Sequence, residues 1–288
     1  MTDHWPFTGG GGARVDFAKG AWITMQGGQR ILDAAGGAIV ANIGHGNERV
    51  AAAIAEASRR TSYAIPPWLT AEREALLEEL HTHWLPESLS QTHLTSGGSE
   101  GIEAAVKMAV QYHVGRGEPQ RTRILTRDIS YHGTTIGTAG ISGHPARKAG
   151  IEGLIPKPNY VRAPYPLRQQ GSDAEITQLC LDSLEQTIDE LGPQNVAALV
   201  AEPVTGTSGG AIVPPDGYWA GVQRILKAQQ EQVGGPDPEA TDADSDLPPL
   251  PQDLETTSYR VFDAGAIKAR GERYKGVEVS KDMDAGAM

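Results

Sequence analysis

The sequence predicts an α/β fold: a mostly parallel sheet with helices on its faces, preceded by a small N-terminal α+β segment. Three observations carry this expectation. From about Gln91 strand-like and helix-like stretches alternate, the rhythm of β-α-β units. The run NVAALVAEPV, Asn195 to Val204, is apolar at consecutive positions, as a strand buried on both faces must be. Ahead of Gln91, WITMQGGQRIL sets two short β-type runs around Gly27-Gly28, a two-residue hairpin signal.

The remaining elements follow in order. NERVAAAIAEASRR carries Val50, Ile54 and Ala57 at helical spacing behind Asn47, a suitable N-cap. LTAEREALLEELHTHW predicts a second helix, with Leu76, Leu77 and Leu80 apolar and Thr70 as its cap. A short strand is expected at His93–Thr95, a helix from Ser99 to His113, and the next strand at Arg123–Thr126. In EITQLCLDSLEQTIDEL the residues Ile176, Leu179, Cys180, Leu184, Ile188 and Leu191 form one helical stripe. Cys180, the single cysteine, is thereby expected to be a buried structural thiol.

Charge and composition exclude several classes. The net charge of −11 lacks the basic face that nucleic acid or an anionic membrane would need. Eight carboxylates and no Lys or Arg fall between Ala228 and Tyr259, and taking those eight charges from −11 leaves −3 for the rest. The N-terminus lacks the basic start and apolar run of a signal peptide, and no stretch has the roughly 20 apolar residues of a membrane span. A soluble, cytoplasmic protein is expected.

The 288 residues divide accordingly. Residues 1–60 are read as an N-terminal segment belonging to a small domain, and 61–227 as the larger α/β domain. Residues 228–257, acidic and with five prolines, are read as a disordered linker that cannot bury enough surface to offset its ordering entropy. Residues 258–288 are read as a tail of unclear fold, with at best a strand at Ser258–Phe262.

The stretch HLTSGGSEGIEAAVKMA places Ser96-Gly97-Gly98-Ser99 where a strand hands over to a helix. A helix start exposes unpaired N–H groups and the positive end of the helix dipole; glycines let a ligand approach and a serine adds a donor. Such a turn suits a phosphate dianion. The alternative is that Ser96 or Ser99 only caps the helix. Neither G-x-x-x-x-G-K-[ST] nor G-x-G-x-x-G is present, so neither nucleotide loop applies. SYHGTTIGTAGISG sets Tyr131, His132 and Gly133 beyond the strand Arg123–Thr126, near the edge where open α/β sheets bind ligands. Tyr131 suits stacking on a flat heterocycle; alternatively it is an ordinary half-buried tyrosine and His132 a satisfied loop histidine. AEPVTGTSGGAIVPPDGYW ends a buried strand with Glu202, a carboxylate at the same edge, paired or facing a ligand.

TSGGSEGIEAAVKMA, YHGTTIGTAGISG and AEPVTGTSGGAIVPPDGYW, in this order, resemble the class III aminotransferases, which use pyridoxal 5'-phosphate (PLP). WPFTG, RILDAAGGAIVANIGHGNERVAAAI and PESLSQTHLTSGGSE fit the same family, and the resemblance runs from about Trp5 to about Leu226. It implies an incomplete three-layer αβα aminotransferase-type large domain. It also implies transfer of an amino group from an amine or ω-amino acid to a 2-oxo acid. Gly98 and Ser99 would bind the cofactor phosphate, Tyr131 would lie on one face of the pyridine ring, and His132 and Gly133 would shape the same wall. Glu202 would sit beside the ring. Homodimers, or pairing with a full-length homologue, are implied as well. The family's Asn after Glu100-Ala is here Ile102 after Gly101.

Two groups that the family needs are missing. The resemblance implies an Asp-Glu-Val motif, whose aspartate pairs with the pyridine nitrogen, one helix beyond GYWAGVQRILKA. A lysine that forms a Schiff base with PLP follows it. QEQVGGPDPEATDADSD stands where the aspartate's strand belongs, and Asp263, Lys268 and Lys275 lack the family's neighbours. The catalytic residues are therefore unassigned. The chain is read as truncated, a descendant of a complete enzyme whose C-terminal half was lost, exchanged or mis-joined. On that reading its activity is impaired, or it is a non-catalytic relative that binds PLP or a full-length homologue. A third alternative is a general binder of phosphate esters.

Overall fold

The structure is a computed structural model that describes residues 13–65, 68–206 and 208–232. The segment from 233 to 257, the tail 258–288 with its expected strand, and Asp263, Lys268 and Lys275 lie outside the described residues. So does the stretch WPFTG. The chain forms two compact units, divided between Ser90 and Gln91.

In the first unit β1 (Val15–Lys19), β2 (Trp22–Met25) and β3 (Arg30–Leu32) form an antiparallel meander. The β2–β3 turn is one residue longer than the two-residue hairpin expected. Met25 donates its N–H to the Gln29 carbonyl at 2.8 Å, so Gln26, Gly27 and Gly28 make the loop. The cause is the Gln26 N–H, which is drawn to the Arg14 carbonyl on the β1 side at 2.7 Å. A left-handed turn, α1 (Gly36–Ile39), precedes α2 (Glu48–Arg60), where Asn47 Oδ1 accepts the N–H groups of Arg49 and Val50. Thr70 Oγ1 accepts the Arg73 N–H at the start of α3 (Ala71–Glu79). Both expected caps are in place.

The second unit holds α4 (Gly98–Gly115), β4 (Arg123–Arg127), α5 (Ile136–Gly140), β5 (Asn159–Val161), α6 (Asp173–Leu191), β6 (Val196–Val200) and α7 (Tyr218–Gln232). Its sheet runs β5-β4-β6 with every pairing parallel, and Leu125 sits opposite both Asn159 and Leu199. The α/β class and the parallel sheet are as the sequence predicts. His93–Thr95 is not a strand: it joins no ladder, and Leu94 remains exposed. A strand needs a partner for its N–H and C=O groups, and neither edge of this sheet supplies one there.

Leu125, Val161 and Val196 of the sheet pack with Cys180, Leu181, Leu184 and Ile188 of α6 and with Tyr218, Val222 and Ile225 of α7. The α6 stripe differs from expectation at one place: Leu181 is buried and Leu179 is 45% exposed. The buried face of α6 must meet both the sheet and α7, and Leu181 fills the space beside Gly221 of α7. Ser172 and Glu175 cap the helix reciprocally. Cys180 is buried, and desolvation pushes its thiol up to about 11. Among the described residues no helix is long and apolar enough to cross a membrane.

Candidate functional site

Parallel strands deliver their carboxyl ends to one edge of the sheet, and here the residues after β4 and β6 meet there. β4 stops at Arg127 and leads into Tyr131 and His132; β6 stops at Val200 and leads into Glu202. The tip of α4 joins them through the loop that precedes α5.

Gly97 is the N-cap of α4, with extended backbone and no side chain capping the helix. The caps considered from the sequence are not made. Ser96 donates its own N–H to Glu100 Oε2 at 2.8 Å, and Ser99 Oγ turns outward to accept the N–H of Thr134 at 3.1 Å. A Cβ added to Gly97 or Gly98 would meet nothing within 4 Å. The first turn of this 18-residue helix thus has no side-chain cap, its glycines open onto free space, and the Glu100 carboxylate is set against its dipole.

The loop from Gly133 to Thr138 is clamped onto α4. Gly133 has φ +145, in the region that favours glycine, and a Cβ there would sit 2.5 Å from both Ser99 Oγ and Thr138 Oγ1. Thr135 and Thr138 form a capping box at the start of α5, and Thr135 Oγ1 donates to Glu103 Oε1 at 2.6 Å. Glu103 lies one turn beyond Ser99 on α4, so two successive turns of that helix hold the loop.

Glu202 joins the two strand ends. Its carboxylate accepts the Tyr131 N–H at 3.1 Å through Oε2 and the Gly206 N–H at 2.9 Å through Oε1. The guanidinium of Arg147 lies 4.8 Å from the Tyr131 ring centroid and covers one face of that ring. His132 is buried between Thr126 Oγ1, 3.1 Å from its Nε2, and Ser142 Oγ, which accepts its backbone N–H at 2.9 Å. Burial, and then the nearby Arg127 charge, hold the imidazole down to about 4, so it is neutral around pH 7.

Gly98, Ser99, Tyr131, His132 and Glu202 are therefore linked by hydrogen bonds or chain adjacency around one sheet edge. Sequence reasoning missed Thr134, Glu103, Arg147 and Arg127. Thr134 acts through its backbone N–H, which no residue type announces. Arg147 reaches Tyr131 from a short 3-10 turn 16 residues downstream. Chemically, the edge offers an uncapped helix tip for an anion and an aromatic ring with one face covered. Among the described residues no group of three or more His, Cys, Asp or Glu side chains is placed to hold a metal ion.

The chain is similar to known proteins of one family. The family model described as Aminotransferase class-III matches residues 12–233. The uncharacterised aminotransferase YodT of Bacillus subtilis (strain 168) is 33% identical over 214 residues, which is 74% of this chain and 48% of YodT. Putrescine–pyruvate aminotransferase of Pseudomonas aeruginosa is 31% identical over 229 residues, covering 78% of this chain and 50% of that protein. A solved amine transaminase from an uncultivated Pseudomonas species, in the PLP-bound form, superposes with a TM-score of 0.72. It is 32% identical, and the match covers 80% of this chain and 54% of that one. The chain spans about half the length of the curated relatives it matches.

Proposed function

This chain belongs to the class III aminotransferase family, and we propose that its second unit is the part that holds PLP. The observation that carries the proposal is the 3.1 Å bond from the Thr134 N–H to Ser99 Oγ, which joins an open helix tip to the loop bearing Tyr131.

On this reading the N–H groups of Gly98 and Ser99 bind the phosphate. The Ser99 hydroxyl oxygen is already engaged by Thr134, so its own hydrogen is free to donate to the same anion. Tyr131 lies against the pyridine ring with the face that Arg147 leaves open. His132, neutral and buried, supports that wall without adding charge. Glu202 holds the Tyr131 backbone in place and keeps a carboxylate beside the ring. The open space at Gly97 and Gly98 fits such a group.

Bound there, PLP supplies the electron sink for moving an amino group from an amine or ω-amino acid to a 2-oxo acid. The relative named putrescine–pyruvate aminotransferase supports that substrate class. The sequence contains no Asp-Glu-Val motif and no lysine in the setting that the resemblance requires. The chain by itself is then impaired in amino transfer. It acts in the cytoplasm as a homodimer or paired with a full-length homologue, or else as a non-catalytic binder of PLP.

The test is a PLP titration of the full chain followed by absorbance, then borohydride reduction and peptide mapping, beside amino-transfer assays with amine and 2-oxo acid pairs. Saturable binding that weakens at least tenfold in Tyr131→Ala, with no labelled lysine and no transfer, is the expected result. A labelled lysine with turnover would overturn the impairment, and absence of any PLP binding would overturn the site. The uncapped helix tip also favours a second reading, a general binder of phosphate esters. Affinity for simple phosphate esters equal to that for PLP, and indifferent to Tyr131→Ala, would select it.

A further inference from the structure

We propose that Arg127 is a positioning residue for this site: from inside the unit it fixes Glu202, and through Glu202 the backbone of Tyr131. The effect on PLP rests on the reading above; the effect on the two residues does not.

Arg127 ends β4 and has no solvent exposure at all. Its Nη2 donates to the main-chain carbonyl of Glu202, just past the end of β6. The Glu202 carboxylate in turn accepts the N–H of Tyr131 at 3.1 Å and of Gly206 at 2.9 Å. One buried guanidinium thus begins a chain of bonds that reaches the aromatic wall from below. The ring of Trp219, on α7, lies 5.6 Å from its Cζ.

The rest of the group is poorly provided for. Nε and Nη1 are buried with no partner in good hydrogen-bond geometry, the Tyr218 hydroxyl lies beside the guanidinium, and no carboxylate among the described residues forms an ion pair with Arg127. A buried charge in this state is costly, and an apolar side chain of similar volume fills such a place equally well or better. With Tyr218 as its other polar neighbour, stability alone is a weak reason for an arginine here, whereas the need for a long, forked donor that reaches Glu202 is a direct one. A purely structural role would instead make the contact with Trp219 the important one.

The two roles separate in Arg127→Met, studied in the full chain. Three measurements are made: the urea unfolding midpoint, amide hydrogen exchange without PLP, and PLP affinity. Positioning predicts a midpoint no lower than that of the unchanged protein. It also predicts exchange at Tyr131 and Gly206 faster by about tenfold or more, with the β4–β6 ladder amides unaltered. PLP then binds about tenfold more weakly. Unchanged exchange at Tyr131 and Gly206, or a lowered midpoint with protection lost throughout the unit, overturns the proposal. If Arg127→Met does not fold, Arg127→Lys keeps the charge but lacks the fork, and the same selective exchange at Tyr131 and Gly206 is required of it. If the unchanged protein binds no PLP while the selective exchange is seen, the site assignment falls and the positioning role stands.

Discussion

Gly133 passes so close to Ser99 that a Cβ built on it would lie 2.5 Å from the serine hydroxyl oxygen. With φ +145 its backbone also occupies a region that side chains disfavour. The next residue, Thr134, donates its N–H to that same oxygen. The close approach and the hydrogen bond act together, and they set where Tyr131 stands relative to the tip of α4.

Gly133→Ala must then displace Ser99, Thr138 or the loop itself, because a second Cβ contact of 2.5 Å falls on Thr138 Oγ1. A loss of about 1–3 kcal/mol in unfolding free energy is expected from strain of this kind. Weaker PLP binding accompanies it. Urea denaturation and a PLP titration check both, and a variant as stable as the unchanged protein would show that the loop has another conformation within reach.

Ser99→Ala removes the acceptor for the Thr134 N–H and the hydroxyl facing the helix tip. A neutral hydrogen bond of this sort contributes about 0.5–1.5 kcal/mol, so affinity falls by roughly threefold to tenfold. The loss is expected for both PLP and a phosphate ester without a ring, and is larger for PLP because the same bond to Thr134 also places Tyr131. A calorimetric comparison of the two ligands tests this, and a loss confined to PLP would move Ser99 from the phosphate to the ring.

Much of this arrangement was legible in the sequence wherever a residue type carries its own geometry. Asn47 and Thr70 cap because their side chains have the reach, and consecutive apolar residues at Val196–Val200 could only form a strand covered on its faces. Tyr131 and Glu202 converge because parallel strands bring their carboxyl ends to one edge, and Gly98 and Ser99 join them where the Thr134 N–H meets the tip of α4. The failures are of a different kind. His93–Thr95 has strand-forming composition but no ladder to join, which depends on the partner and not on the segment. Leu181 replaces Leu179 in the core because α7, more than 30 residues downstream, decides which face of α6 is covered. Arg127 reads as a polar residue leaving a strand; its burial arises only when Trp219 and Glu202 close over it.

Cys180 should be silent towards thiol reagents in the folded protein. It is 2% exposed, and burial pushes its thiol up to about 11, so thiolate at pH 8 is scarce as well as inaccessible. Iodoacetamide is expected to label it only at the rate at which α6 unfolds, and completely in denaturant. Fast labelling at native conditions would mean that the face between α6 and the sheet is open.

His132 should make the protein less stable as the medium is acidified. Its folded value, about 4, lies below the ordinary histidine value of 6.5, chiefly through burial and secondly through the charge of Arg127. Thr126, Ser142 and the Val200 carbonyl are its uncharged neighbours. Between these two values the unfolded chain binds a proton that the folded chain does not, so stability rises with pH across that window. From pH 6.5 down to about 4 the penalty grows to about 3 kcal/mol, and below about 4 it is constant because both states are protonated. Carboxylates also titrate towards the lower end, so the measurement is a difference: urea unfolding of the unchanged protein and of His132→Gln across pH 4 to 7. The substituted protein should show the shallower slope between pH 5 and 6.5, where few carboxylates change state. Parallel slopes there would mean that the imidazole accepts its proton without leaving its bond to Thr126.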